Sequence, residues 1–147
     1  MRLRAIGIAA VLVAFFSVCS CGLQGGGAIA RQFGRAQSIK IVDNKTGREI
    51  ATVRLTQDIQ ALADGLARGE VKAREQRAAA FTLVLVFPDG SKGRAYVDVD
   101  YRAGPGQARR GWVQYEGIGH VYPRALFWDV FDKYVLPALP ASRKPFP

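Results

Sequence analysis

Polar and apolar residues alternate at first over Ser38–Asp43, with Ile39 and Ile41 on one side, and Glu49–Leu55 follows as a second short strand-like run. A period of two predicts half-buried strands. The turn residues Asp43-Asn44-Lys45-Thr46-Gly47 between them predict a hairpin. The period then changes. Ile59, Leu62, Ala63 and Leu66 recur at i, i+3, i+4 and i+7, which predicts a helix with one buried face, capped by Thr56 and stopped at Gly69. Glu70–Arg77 shows neither period and stays open between helix, edge strand and linker. Ala79–Phe87 is apolar on both faces, which predicts a central strand. Pro88-Asp89-Gly90-Ser91 turns the chain into Arg94–Tyr101. There Val97, Val99 and Tyr101 alternate with Tyr96, Asp98 and Asp100, a core face against a wet one. After a glycine-rich loop from Gly104, Trp112–Glu116 and His120–Tyr122 predict a last hairpin. Pro123 suits the start of a closing helix in which Phe127, Val130, Phe131 and Tyr134 repeat the helical spacing. Four prolines from Pro137 onward predict an extended, mobile tail over 137–147.

The resulting order is two strands, a helix, four strands and a helix. Strand pairs joined by tight turns favour an antiparallel sheet, and two amphipathic helices can cover one face of it. The expectation is a single α+β two-layer domain over residues 38–136. About 100 residues suffice for a core without disulfide or metal staples.

Ahead of this domain the pattern is different. Arg2 and Arg4 form a cationic head, and Ala5–Val18 carries no charge. A helix of that length reaches roughly 21 Å, short of the about 30 Å of a bilayer core. The run has the size of a signal-peptide core, and the small residues that follow it suit a cleavage site. Val18-Cys19-Ser20-Cys21 resembles the lipobox of bacterial lipoprotein precursors, in which an aliphatic residue stands three before the modified cysteine and a small residue directly before it. The resemblance covers the first 21 residues only. It implies a signal peptide over 1–20, cleavage between Ser20 and Cys21, a diacylglyceryl thioether on the Cys21 sulfur, and a fatty acid such as palmitate on the new amine. It also implies export and a lipid anchor in the bacterial membrane. In a cell with two membranes that means the periplasmic side of the outer one, since Gly22 rather than Asp follows Cys21. The rival readings of the segment are a signal cut without lipidation and an uncleaved anchor. A metal or redox Cys-x-Cys pair would need further ligands, because zinc takes four, and the chain offers no other cysteine and one histidine. Gly22-Leu-Gln-Gly-Gly-Gly-Ala reads as the start of a flexible tether over 21–37.

Charge adds a second theme. Lys and Arg number 21 against 12 Asp and Glu. Loss of Arg2 and Arg4 with the signal leaves nineteen against twelve, a net charge of +7. A basic exported chain can meet an anionic cell-wall polymer, a glycolipid or an acidic envelope protein. Export excludes cytoplasmic nucleic acid as a partner.

Candidate chemistry is sparse. Arg109 and Arg110 are the one adjacent arginine pair and lead through Gly111 into Trp112, with Tyr115 close behind. Arginine and tryptophan are enriched among binding hot spots, so these four residues are the candidate partner surface. The rival class is a small hydrolase in which Glu116 orients His120 as general base; no Gly-x-Ser-x-Gly frame supplies its nucleophile. Asp98 and Asp100 share a strand face, but calcium wants six or more oxygens, and the loop beyond offers no acid. Gly104-Pro-Gly and Gly117-Ile-Gly lack the phosphate-loop patterns. No metal or cofactor is therefore expected. The sequence reading is a lipid-anchored envelope protein that binds rather than transforms its partner.

Overall fold

The computed structural model describes residues 25–146, so the signal segment, the cleavage site and Cys21 lie outside the described residues. Six strands, β1 (Ser38–Asp43), β2 (Arg48–Val53), β3 (Phe81–Val86), β4 (Lys92–Gly104), β5 (Gln107–Tyr115) and β6 (Gly119–Val121), form one sheet. Its order is β2-β1-β3-β4-β5-β6, and every pairing is antiparallel. Among the described residues three helices, α1 (Gly25–Arg35), α2 (Thr56–Ala67) and α3 (Ala125–Val135), complete the α+β fold. Among the described residues no helix is long and apolar enough to cross a membrane.

The register decides which side chains meet the helices. Ile39 faces Leu85, Ile41 faces Leu83, Phe81 faces Val97, and Val97 faces Val113, which faces Val121. All of these are buried, with Ile29, Phe33, Leu62, Leu66, Phe127 and Phe131 from the helices. Aromatic rings bind the two layers: Phe131 packs edge-on to Phe81 of the sheet and stacks on Phe127, whose ring meets Phe33. Offset and edge-on rings place positive edges near negative faces, which adds to the gain from burial.

α1 replaces most of the expected tether. Gly25, Gly26 and Gly27 disfavour a helix in isolation, yet Ile29 and Phe33 lie one turn apart and are fully buried. Burial of that pair against α2 outweighs the local preference. Gly26 also permits the approach: a Cβ there would stand 2.8 Å from the Leu66 carbonyl. Gly65 plays the same part on the other side of α2, where a Cβ would stand 2.4 Å from the Phe127 amide. The expected cap differs slightly as well. Leu55 occupies the N-cap of α2 without a side-chain bond, and Thr56 is the first helical residue.

The tail also departs from expectation. Short 3-10 turns at Leu136–Ala138 and Ala141–Arg143 follow α3. Leu139 is buried in the core, and the Arg143 guanidinium grips the Asp43 carboxylate through both nitrogens. Asp43 is buried at the end of β1, where an unpaired charge would be costly. That need fixes a segment whose prolines suggested freedom.

Candidate functional site

The second face of the sheet is built in two parts. Over β4, β5 and β6 it is crossed by the irregular segment 70–78, the stretch that the sequence left open. A two-way backbone pairing of Glu70 with Tyr122 starts this strap. The Tyr122 hydroxyl donates to the Ala73 carbonyl and accepts the Glu75 amide, both at 3.1 Å. The Trp112 indole donates to the Glu75 carbonyl at 3.1 Å. Arg74 lies over the Trp112 ring and Lys72 over the Tyr122 ring. The strap thus converts two large aromatics of an outer sheet face into a second, smaller buried zone.

Asp98 anchors its far end. The side chain is 1% exposed. It accepts two bonds from Arg109, at 2.9 and 3.1 Å, and one from Arg77 of the strap at 3.2 Å. Arg77 also pairs with Glu75. Bidentate charge-assisted bonds of this kind are the strong ones, and the pairing raises Arg109 above the ordinary arginine value. The register slips between Val97–Val113 and Val99–Arg110, so that β5 carries one extra residue opposite Asp98. Gly111 fits there because a Cβ would fall 2.0 Å from the Asp98 carboxylate.

This bulge disperses the residues that the sequence grouped as a partner surface. Arg109 lies on the strapped face and is committed to Asp98. Arg110 lies opposite Val99 on the helix side, where it binds Asp132 of α3 at 2.8 Å. Asp132 also accepts the Tyr101 hydroxyl at 2.6 Å, and burial and that carboxylate together push the phenol far above its usual value. Trp112 is 2% exposed, and Tyr115, also buried, stands under the helix layer with its hydroxyl over Gly93. The four do not share a face, and the two aromatics are buried: Arg109 and Trp112 support the strap, and Arg110, which is exposed, and Tyr115 lie on the helix side. The expectation of a wet face at Asp98 is likewise corrected, because the strap and two guanidinium groups enclose it. Asp100 alone of that pair is exposed.

Register does not set the candidate catalytic pair directly opposite each other. His120 stands opposite Gln114, while Glu116 lies in the turn beyond Tyr115. The His120 Nε2 is 2.6 Å from the Lys72 carbonyl, so Nε2–H donates there and the ring serves the strap. A shallow cleft of about 240 Å³ opens between β4 and the tail, lined by Lys45, Arg102, Ser142 and Arg143. Two of its three cations are already engaged: Arg143 holds Asp43, and Arg102 holds the Ser142 carbonyl. Among the described residues no group of three His, Cys, Asp or Glu side chains is placed to hold a metal ion.

The other part of this face, over β2, β1, β3 and β4, lies beside the strap. Register places Thr52, Lys40, Val84 and Arg94 in one row across four strands. Ser38, Val86 and Lys92 form the next row. Val42, Thr82 and Tyr96 form a third. The valines, Lys40 and Tyr96 are half-buried, and Lys92 and Arg94 are exposed. Two acids border these rows: Glu49, opposite Val42, accepts the Thr52 hydroxyl, and the Glu116 amide donates to the Arg94 carbonyl at the β5 side. Sequence reasoning missed this surface. Its signal was the apolar second side of β3, which the sequence suggests is covered.

Comparison with known protein families, with curated proteins and with solved structures finds no match to this chain.

Proposed function

We propose that the chain is a lipid-anchored protein of the bacterial cell envelope, held by Cys21, and that it acts as a binding module for an anionic envelope polymer. The observation that carries the binding half is the row Lys40–Val84–Arg94, with Lys92 beside it, on an accessible sheet face. A flat face with regularly spaced cations suits a repeating polyanion better than a small substrate, which wants a concave pocket. Strand neighbours stand about 4.8 Å apart, so Lys40 and Arg94, two strands apart, present charges roughly 10 Å from each other. The half-buried valines between them give sugar or alkyl carbons an apolar contact. Cys21 as anchor rests on Val18-Cys19-Ser20-Cys21 and on the short apolar run before it.

Two experiments test the two halves. Metabolic labelling with an alkyne fatty acid should mark the wild type and Cys19→Ala, and Cys21→Ala should accumulate as unmarked precursor. Labelling that persists in Cys21→Ala and vanishes in Cys19→Ala rejects the assignment. Detergent-purified full chain should be captured by immobilised teichoic acid or lipopolysaccharide, with binding that weakens as salt rises. Lys40→Gln with Arg94→Gln should lower that capture and flatten its salt dependence. Capture unaffected by the double substitution removes this face from the proposal.

A further inference from the structure

We infer that the end of the domain where α1 begins is its membrane-facing surface, and that Val71, Leu126, Arg68, Lys72 and Arg124 meet an anionic lipid surface there. The inference rests on the lipid anchor at Cys21 proposed above. α1 opens at Gly25, four residues after Cys21. Four residues span at most about 14 Å even when fully extended. Because α1 is part of the packed fold and not a tether, a lipid on Cys21 holds one particular end of the domain against the bilayer.

The packing identifies that end. Gly26 lies against the Leu66 and Ala67 carbonyls at the end of α2 and against Val121 of β6. Gly69 lies against Val121 and the Tyr122 carbonyl. Gly65 lies against Phe127 in the first turn of α3, and the Arg124 amide donates to the Gly65 carbonyl. The start of α1, the end of α2, the start of the strap and the start of α3 therefore converge.

The surface chemistry at this end is unusual for the molecule. Four large hydrophobic residues are exposed among the described residues, and two of them, Val71 at 43% and Leu126 at 41%, sit here. Arg68, Lys72 and Arg124 are exposed around them. The Arg124 Nε donates to the Arg68 carbonyl at 3.0 Å, which ties the two arginines together across elements. Lys72 sits over the Tyr122 ring. The acids nearby are Glu70, 3.8 Å from the Lys72 ammonium, Asp64, one turn back along α2, and Asp129, one turn beyond Leu126 along α3. Apolar side chains ringed by cations are the composition of interfacial membrane contacts, in which burial and attraction to anionic headgroups add. Leu55, another exposed hydrophobe, caps the opposite end of α2, about 20 Å away along the helix.

Single-cysteine labelling tests the orientation, because Cys19 leaves with the signal and the lipid occupies the Cys21 sulfur. Full-length chain is expressed with Leu126→Cys or Leu55→Cys, purified in detergent, labelled with a fluorescent maleimide and reconstituted. The vesicles are phosphatidylcholine with phosphatidylglycerol and a headgroup spin-labelled quencher. The expected result is quenching of the Leu126→Cys probe at least about twofold stronger than that of the Leu55→Cys probe, as interfacial burial at one end requires. High salt, or Arg68→Gln with Lys72→Gln in a chain that melts like wild type, should narrow the difference. Equal quenching, or stronger quenching at the Leu55 position, overturns the inference. A difference that ignores both salt and the double substitution overturns the role given to the cations. Mass analysis of the N-terminal peptide separates the two proposals. A diacylglyceryl Cys21 with equal quenching rejects the orientation alone, whereas an unmodified Cys21 rejects the anchor and the orientation with it.

Discussion

One face of the sheet and the β4–β6 part of the other are closed by opposite means. On one, three helices seal Ile39, Leu83, Leu85, Phe81 and Val113 beneath aromatic rings. On the other, a segment without regular structure covers Trp112 and Tyr122 and is held by backbone carbonyls, an indole, a phenol, an imidazole and the Asp98 ion pairs. The first closure gains from removing apolar area from water, at about 25 cal/mol per Å². The second gains mainly from directed polar contacts, each worth about 1 kcal/mol net. A helix layer can therefore lose one contact and remain a layer, whereas the strap depends on a few named bonds.

The largest expected effect lies on the helix side. Phe33→Ala should destabilise the fold by about 3–5 kcal/mol, the range for emptying a buried aromatic site. A thermal melt that barely shifts would return α1 to the status of a tether and leave α2 with α3 as the whole layer. On the strapped face, Asp98→Ala should remove about 1–3 kcal/mol, since Arg77 and Arg109 are partly exposed and can turn to water once freed. Its sharper signature is local. Amide exchange across residues 70–78 should accelerate while β3 stays protected, because weakly anchored segments open below the global unfolding energy. Equal acceleration in β3 would mean that the two closures are one cooperative unit.

A smaller effect comes from acid. The Arg143 guanidinium beside Asp43 holds its carboxyl below the ordinary carboxylate value of 3.8, and the Tyr134 hydroxyl with Lys133 does the same for Asp58. A depressed folded value gives stability that is fully present above the unfolded value and is lost as pH falls through the folded one. Stability on the helix side should thus be flat from neutrality down to about pH 5 and decline below about pH 4. Chemical denaturation across that range should show a shallower decline in Asp43→Asn than in wild type. An unchanged slope would assign the acid sensitivity to other carboxylates.

Much of the fold was legible in the chain. Period two gave the strand pairs, and Asn-Lys-Thr-Gly and Pro-Asp-Gly gave the turns at Gly47 and Gly90, both at positive φ. Period 3.6 gave α2 and α3. These signals are local: each needs only a face to bury or a backbone angle to adopt. The candidate site was less legible. Arg109, Arg110, Trp112 and Tyr115 are neighbours in sequence, and a single extra residue at Gly111 sends them to two faces with separate partners. A bulge changes side-chain direction without changing composition, so alternation gives no warning of it.

By itself the sequence determined the α+β class, the hairpins joined by tight turns and the expectation of an exported, lipid-bearing N-terminus. Tertiary structure alone decided that three glycines would open a helix, since only burial of Ile29 and Phe33 against α2 offsets their backbone freedom. It decided that Asp98 would be enclosed and not wet, because Arg77 and Arg109, 21 and 11 residues away, had to arrive together to neutralise it. It also decided which part of the second sheet face remained accessible. Strand periodicity records that a side chain points away from the helices, but what lies over it depends on where a distant, patternless segment comes to rest.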